Sequence, residues 1–273
     1  MPSTDGDAPS GEADLASTAG AGPAKAGGSS TPPVFVALTA DLASQRITLR
    51  GQEGRHASTV RRLEPGERVD VTDGAGTVAE CLVVAARPGE LELTVAGRRT
   101  EPKPRPLLTV LQAIPKGDRG ELAVELLTEV GADVIVPWAA ERCVAVWRGE
   151  RAARSRRRWE SAAEQAAKQS RRSWFPVVGE QADLAAAVAR VSAAALAIVL
   201  DPAAPAQVAS LRLPAEGEIV LVVGPEGGIS PAETSAFLAV GAQAARLGPT
   251  VLRASSAGVV AAAIVLGRSP RWA

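Results

Sequence analysis

Two short and almost entirely apolar segments, residues 196–200 and 219–223, constrain the fold of this chain more than any other feature. Each has the length of a β-strand and is too short for a typical helix. Strands that are apolar on both faces are buried on both faces, as in a parallel sheet covered by helices. These segments therefore predict an α/β fold for the C-terminal part of the chain.

The alternation of strands and helices extends over most of the second half of the chain. Further strands are predicted at residues 107–114, 134–136 and 244–247, and helices at 118–130, 150–170, 230–241 and 256–266. In the first of these helices, Leu122, Leu126 and Val130 lie on one stripe, and Gly131 follows its end. Ser230, Pro231 and Glu233 form a typical helix start with a capping box.

The N-terminal part has a different pattern. Short β-prone runs separated by Gly and Pro turns predict strands in a small barrel at residues 34–36, 47–49, 69–72, 77–84 and 91–95. The Pro-rich stretch 101–106 is interpreted as a linker. We therefore predict a disordered tail at residues 1–31, a β-barrel domain at 32–103 and an α/β domain at 104–273.

Composition excludes several classes of protein. The formal net charge is zero, and the two cysteines, Cys81 and Cys143, are expected to be buried thiols rather than a disulfide. His56 is the one histidine, which argues against Cys/His zinc sites, and we interpret it as structural rather than catalytic. No apolar stretch is long enough to cross a membrane and no signal pattern is present, so a cytoplasmic protein is expected.

Three loops follow predicted strands, at the sheet edge where open α/β folds bind ligands. They are residues 201–202, 224–228 and 247–253. The glycines of the second loop allow a close backbone approach to a ligand, and the alternative is a tight turn without one. The loop lacks the Gly-Lys-Ser/Thr of a Walker A motif and is not a GxGxxG motif.

The segment Gly224-Pro225-Glu226-Gly227-Gly228-Ile229-Ser230, with Leu247-Gly248-Pro249-x-Val251-Leu252-Arg253 after it, closely resembles the ribosomal small-subunit methyltransferase E family of the SPOUT superfamily. Matching blocks occur in the same order along almost the whole folded chain. They include His56-x-x-x-Val60-Arg61-Arg62, Gln112-Ala113-x-Pro115-Lys116, Glu141-Arg142-Cys143 and Ala167-Lys168-Gln169-Ser170-x-Arg172.

This resemblance implies a C-terminal SPOUT domain with a trefoil knot and a parallel sheet, preceded by a small PUA-like β-barrel. It implies a homodimer that uses S-adenosylmethionine, without a metal, to methylate N3 of a uridine in 16S rRNA of the small ribosomal subunit. The residues implied to bind the methyl donor are Leu200, Gly224, Pro225, Glu226, Gly227, Gly228, Leu247, Gly248, Val251, Leu252 and Arg253.

The sequence departs from the family pattern directly after Arg253. The family commonly has Thr-Glu-Thr-Ala there, whereas this chain has Ala254-Ser255-Ser256-Ala257, so no catalytic role can be carried over to an acid at that position. Uridine N3 must lose a proton, which requires a base or a charge that stabilises the anion. We expect Arg253 to stabilise that charge or to order the loop. Glu226 is a candidate base, unless it hydrogen-bonds within its own loop.

The segment 142–172 is strongly basic, with ten Arg or Lys and three Glu. Phosphate contact explains such a face, and a merely solvated basic face is the alternative. The predicted RNA contacts are Arg61, Arg62, Arg154, Arg158, Lys168 and Arg172. Two other functions stay open, namely a SPOUT methyltransferase acting on another RNA and a non-catalytic RNA-binding protein of ribosome assembly. A metabolic α/β enzyme would leave the basic helix unexplained.

Overall fold

The structure is a computed structural model that describes residues 31–117 and 119–272. The predicted disordered tail, apart from Thr31, lies outside the described residues. Within the described part, no helix has the length and apolar character needed to cross a membrane.

The first sheet has five strands in the order β1-β3-β4-β5-β2. The strands are β1 (Val34–Val36), β2 (Arg46–Leu49), β3 (Arg68–Thr72), β4 (Thr77–Arg87) and β5 (Glu90–Thr100). Strand β1 pairs with β3 in parallel, and the other pairs are antiparallel. Two short helices, α1 (Thr39–Leu42) and α2 (Gly51–Arg55), and a π-helical turn at His56–Val60 lie beside them. All five predicted strands are confirmed, and alternate residues such as Val69, Val71 and Leu93 fill the core.

The second sheet is entirely parallel and has six strands in the order β11-β9-β10-β6-β7-β8. Its strands are β6 (Leu107–Ala113), β7 (Val134–Trp138), β8 (Val177–Val178), β9 (Leu196–Leu200), β10 (Glu218–Val223) and β11 (Gln243–Ala245). Strands β9, β10 and β6 are central and almost fully buried, as their apolar sequences require. The α/β prediction is thus confirmed.

Helices cover both faces of this sheet. They are α3 (Arg119–Val130), α4 (Gly149–Gln169), α5 (Leu184–Ala193), α6 (Pro231–Ala239) and α7 (Ala254–Gly267). Helices α3, α4 and α7 bury their apolar residues on one face, and α5 and α6 on the other. The predicted capping box is present, because the Ser230 hydroxyl accepts a bond from the Glu233 N–H and the Glu233 carboxylate accepts one from the Ser230 N–H.

The stripe of Leu122, Leu126 and Val130 is not the most buried side of α3. Leu122 is 46% exposed, and the buried side of the helix carries Ala123, Val124 and Leu127 instead. The reason lies at Gly120, where an added Cβ would come within 2.8 Å of the Trp159 indole. Small residues on this side let α4 approach closely, so close packing selects a different face from the one with the most leucines.

The last turn of α4 and the segment after it attach the first sheet to the α/β part. The Lys168 ammonium forms an ion pair with Glu53 at 2.5 Å, and both side chains are largely buried. The Gly76 N–H donates to the Ser173 carbonyl at 2.9 Å. A Cβ at Gly76 would lie 2.6 Å from the Trp174 ring, so this turn requires a glycine for contact as well as for its φ of 101°.

Candidate active site

A cavity of about 550 Å³ opens at the carboxyl ends of β9, β10 and β11. The three loops that the sequence singled out all line it, as expected at this edge of a parallel sheet. Every residue predicted to bind a methyl donor is among its lining residues: Leu200, Gly224, Pro225, Glu226, Gly227, Gly228, Leu247, Gly248, Val251, Leu252 and Arg253. Asp201, which opens the first loop, also lines the cavity.

The loop after β10 folds back on itself through its glycines. The Gly228 N–H donates to the Pro225 carbonyl at 2.8 Å, and Gly228 has a φ of 75°, which favours glycine. At Gly224, an added Cβ would lie 2.7 Å from the side chain of Ile229. A larger residue at Gly224 would therefore displace the loop that forms one wall of the cavity.

Glu233 holds a neighbouring loop against this wall. Its carboxylate is buried, with one oxygen accepting from the Ser230 N–H at 2.9 Å and the other from the Glu141 N–H at 2.7 Å. Beside it, the Arg142 guanidinium donates to the Gly227 carbonyl at 3.1 Å. The sequence signalled Glu233 only as a capping residue, and its contact with the β7–α4 loop required the tertiary structure.

Arg253 occupies the N-cap position of α7 and lines the cavity with an exposed side chain. Its carbonyl accepts from the N–H groups of Ser256 and Ala257, both at 2.9 Å. Behind it, the buried Gln112 donates to the Ala254 carbonyl at 3.4 Å and so connects the end of β6 to the start of α7. In the sequence, Gln112 was marked only as the first residue of the block Gln112-Ala113-x-Pro115-Lys116.

The departure from the family pattern falls in the first turn of α7. Ser255, at the position where the family commonly has glutamate, is 5% exposed. Among the residues of α7 that the structure describes, Ala254 and Ala257 line the cavity. The position at which the glutamate is missing is therefore buried in the protein. The backbone at the start of α7 and Arg253 still form the cavity wall.

Glu226 is exposed at the mouth of the cavity. Burial raises the pKa of the nearby Cys143 thiol, and the charges of Glu233 and Glu226 raise it further. Cys143 is only partly buried, unlike the prediction, whereas Cys81 is 2% exposed as predicted, and both are free thiols. The ring of His56 packs edge-on against Phe35 at 6.0 Å, which places it beside the core of the first sheet.

Four of the six residues predicted to contact RNA have exposed side chains, namely Arg61, Arg62, Arg154 and Arg158. The other two differ from the expectation. Lys168 is paired with Glu53 at the junction between the two sheets.

Arg172 is largely buried, and its guanidinium donates to the carbonyls of Thr128 and Ala132 and to the Asp133 carboxylate. Burial lowers the pKa of Arg172 to about 10. Lys168 and Arg172 lie C-terminal to the exposed arginines of α4, where the chain returns toward the first sheet. We therefore assign Lys168 and Arg172 structural roles.

Two family models match this chain. The RNA methyltransferase domain matches residues 101–266, and the RNA methyltransferase PUA domain matches residues 49–96. The first alone covers more than half of the chain and includes all the loops that line the cavity.

Two of the proteins that are similar to this chain carry the same description. The ribosomal RNA small subunit methyltransferase E of Mycobacterium bovis is 45% identical over 226 residues, which are 81% of this chain and 86% of that protein. The enzyme of the same name from Neisseria gonorrhoeae, solved bound to S-adenosyl methionine, has a TM-score of 0.76 at 28% identity and covers 86% and 97% of the two chains. A methyltransferase structure from Legionella pneumophila has a TM-score of 0.79 at 24% identity, with 88% and 99% covered, and shows the shared fold.

Proposed function

Since the chain belongs to the ribosomal RNA small subunit methyltransferase E family, we propose that it methylates N3 of a uridine in 16S rRNA, with S-adenosylmethionine as the donor. One observation carries the proposal: eleven residues that the family motif assigns to the donor converge on one cavity of about 550 Å³. We also propose that the PUA-like domain spans residues 32–103 and the SPOUT domain residues 104–273, with the chain knotted in the latter.

The cavity fits a methyl donor of this kind in size and in the chemistry of its lining. A Cβ at Gly228 or Gly248 would meet nothing within 4 Å, so the backbone of both loops borders open space. Leu200 and Leu247 offer apolar walls for a flat base, and Asp201 offers a carboxylate for a cationic or hydroxyl group. When bound, S-adenosylmethionine would supply a methyl group on a positively charged sulfur.

The chain's own contribution is positioning and charge stabilisation. The loops after β10 and β11 hold the donor side of the reaction, and Arg253 faces the same cavity. Arg253 stabilises the negative charge that develops on the uracil as its N3 proton leaves. Glu226, exposed at the mouth, takes up that proton.

The RNA partner is the small ribosomal subunit, contacted through Arg61, Arg62, Arg154 and Arg158. We further propose that the enzyme is a homodimer. Exposed apolar side chains support this, because Val251, which lines the cavity, is 78% exposed and Val260 on α7 is 37% exposed. Light scattering of the purified protein would reveal a mass twice that of the chain.

The experiment that tests the function is mass spectrometry of nucleosides from small-subunit rRNA, with this gene deleted and then restored. We expect 3-methyluridine to disappear and return. Unchanged 3-methyluridine would reject this target and lead to other RNAs. Calorimetric titration with S-adenosylmethionine then separates the alternatives, because a non-catalytic assembly protein need not bind the donor.

A further inference from the structure

A second cleft, of about 530 Å³, lies between the start of α3 and the first half of α4. Its lining residues are all different from those of the donor cavity. The Pro115 loop, the first turn of α3 and the residues just before α4 form its walls. It is therefore a separate surface feature, of which only Arg154 and Arg158 have been assigned to RNA contact so far.

Three arginines of α4 line this cleft, at positions 151, 154 and 158. Their spacing of three and four residues places them on one face of the helix. All three side chains are exposed, and within the described residues none of them forms a salt bridge. Arg156, on a neighbouring face, is instead paired with Glu160 and Glu180.

The rest of the lining is suited to a nucleotide chain. Glu121 and Glu150 add acceptors for base N–H groups, and among the described residues that line the cleft three arginines face these two carboxylates. Trp147 is partly buried, lines the cleft and packs edge-on against Trp159 at 5.0 Å, which holds its ring in place. Arginine forks for phosphate oxygens beside a fixed aromatic ring are the usual elements of single-stranded RNA sites.

The cleft is adjacent to the donor cavity along a single loop. Arg142 bonds to Gly227 of the donor cavity, and Ala145, three residues later, lines the cleft. Three residues span at most about 11 Å even when fully extended. One strand of a nucleic acid helix advances about 3.4 Å per nucleotide, and an extended single strand advances further, so this distance corresponds to at most about three nucleotides.

We propose that this cleft binds phosphodiester groups of the rRNA strand within about three nucleotides of the methylated uridine. Arg151, Arg154 and Arg158 hold the phosphates, and Trp147 supports a base. The target is thereby selected by the strand beside it as well as by the base in the donor cavity. The proposal rests on the proposed function for the identity of the RNA.

The test compares charge removal inside and outside the cleft. Arg154→Gln, Arg158→Gln and the double variant are matched with Arg157→Gln, an exposed arginine of the same helix that does not line the cleft. The probe is small ribosomal subunits from a strain lacking this gene, and the dissociation constant is measured over a series of salt concentrations. Thermal melting of each variant verifies that the surface changes leave the fold intact.

We expect each cleft variant to bind about tenfold more weakly, which corresponds to the loss of one charged hydrogen bond. The slope of log Kd against log salt should fall by about 0.7 to 1 per arginine removed, and Arg157→Gln should leave both quantities near wild type. Equal losses in the control, unchanged binding in the double variant, or no binding by the wild type would each overturn the proposal.

Formation of 3-methyluridine on the same subunits separates this proposal from the proposed function. If the wild type forms no 3-methyluridine although the cleft variants lose binding, the proposed uridine methylation is refuted and the proposed RNA binding in the cleft is retained. If the wild type is active while the double variant binds and turns over normally, the cleft fails and the chemistry stands.

Discussion

Asp133 is the centre of a buried ionic network, and its substitution gives the sharpest test of what holds the α/β part together. Its carboxylate accepts from the Leu108 N–H at 2.8 Å, from Arg172 at 3.3 Å and from Arg271 at 3.2 Å. The side chains of Asp133, Arg172 and Arg271 are 7%, 12% and 9% exposed. The network therefore connects β6, the start of β7 and the residues after α7 and α4.

Asp133→Asn keeps the shape and the bond to Leu108 but leaves two buried guanidinium groups without their counter-ion. Removing one partner of a buried ion pair costs about 3–5 kcal/mol in the free energy of unfolding. For a chain of this size, each kcal/mol lowers Tm by about 2–4 °C, so we expect Tm to fall by about 6–20 °C. Urea denaturation followed by tryptophan fluorescence measures the free energy directly.

The matched control is Glu216→Gln, which removes an equal charge from an exposed pair with Arg105, with side chains 77% and 70% exposed. Such a surface pair contributes at most about 1 kcal/mol. If Asp133→Asn were no more destabilising than this control, the two arginines would be solvated well enough without the carboxylate, and the reasoning would be refuted.

Three further predictions concern the cavity and the thiols. Arg253→Ala should reduce methyl transfer at least about 100-fold, as loss of one charge-stabilising donor does, while Tm stays near wild type; normal turnover would remove Arg253 from the mechanism. Gly224→Ala should weaken S-adenosylmethionine binding at least about tenfold, because its Cβ would lie 2.7 Å from Ile229, and calorimetry would measure it; unchanged affinity would mean that the loop adapts. Burial raises the pKa of Cys81 to about 11. The stability that comes from keeping this thiol protonated is therefore fully present below the unfolded thiol's pKa of about 8.5, and it is lost as the pH rises toward 11. Alkylation by iodoacetamide at pH 8 should be slow at Cys81, and rapid modification of the native protein would contradict this.

Local patterns in the sequence predicted most of the fold. The short apolar strands β9 and β10 could be recognised because a parallel sheet buries both of their faces. Helix α5 was not predicted, since its alanines carry little amphipathic signal, and only the Asp183 cap marks its start. The buried face of α3 could not be predicted from periodicity, because it depends on the close approach of Trp159 to Gly120.

The site was predictable to a similar degree and for the same reason. The donor loops are continuous stretches of sequence, so a motif identifies their residues directly. Glu233, Gln112 and the pairing of Lys168 with Glu53 depend on residues up to 142 positions apart, as in the bond from Gln112 to Ala254. Lys168 and Arg172 were predicted to contact RNA because they lie in a basic segment. The charge of a segment does not show which of its cations have partners inside the protein.

The pairing of β6 with β10 has a consequence for biosynthesis. Leu107 is opposite Glu218, so the central strand pair of the sheet joins residues 111 positions apart. At about 5–20 residues per second, a ribosome needs roughly 6–22 s to complete the partner strand after β6 has been made. The first sheet is complete by Thr100 and can fold during that interval. Strand β6 meanwhile has an unpaired, apolar edge. Exposed edges of this kind are a reason why nascent chains depend on chaperones.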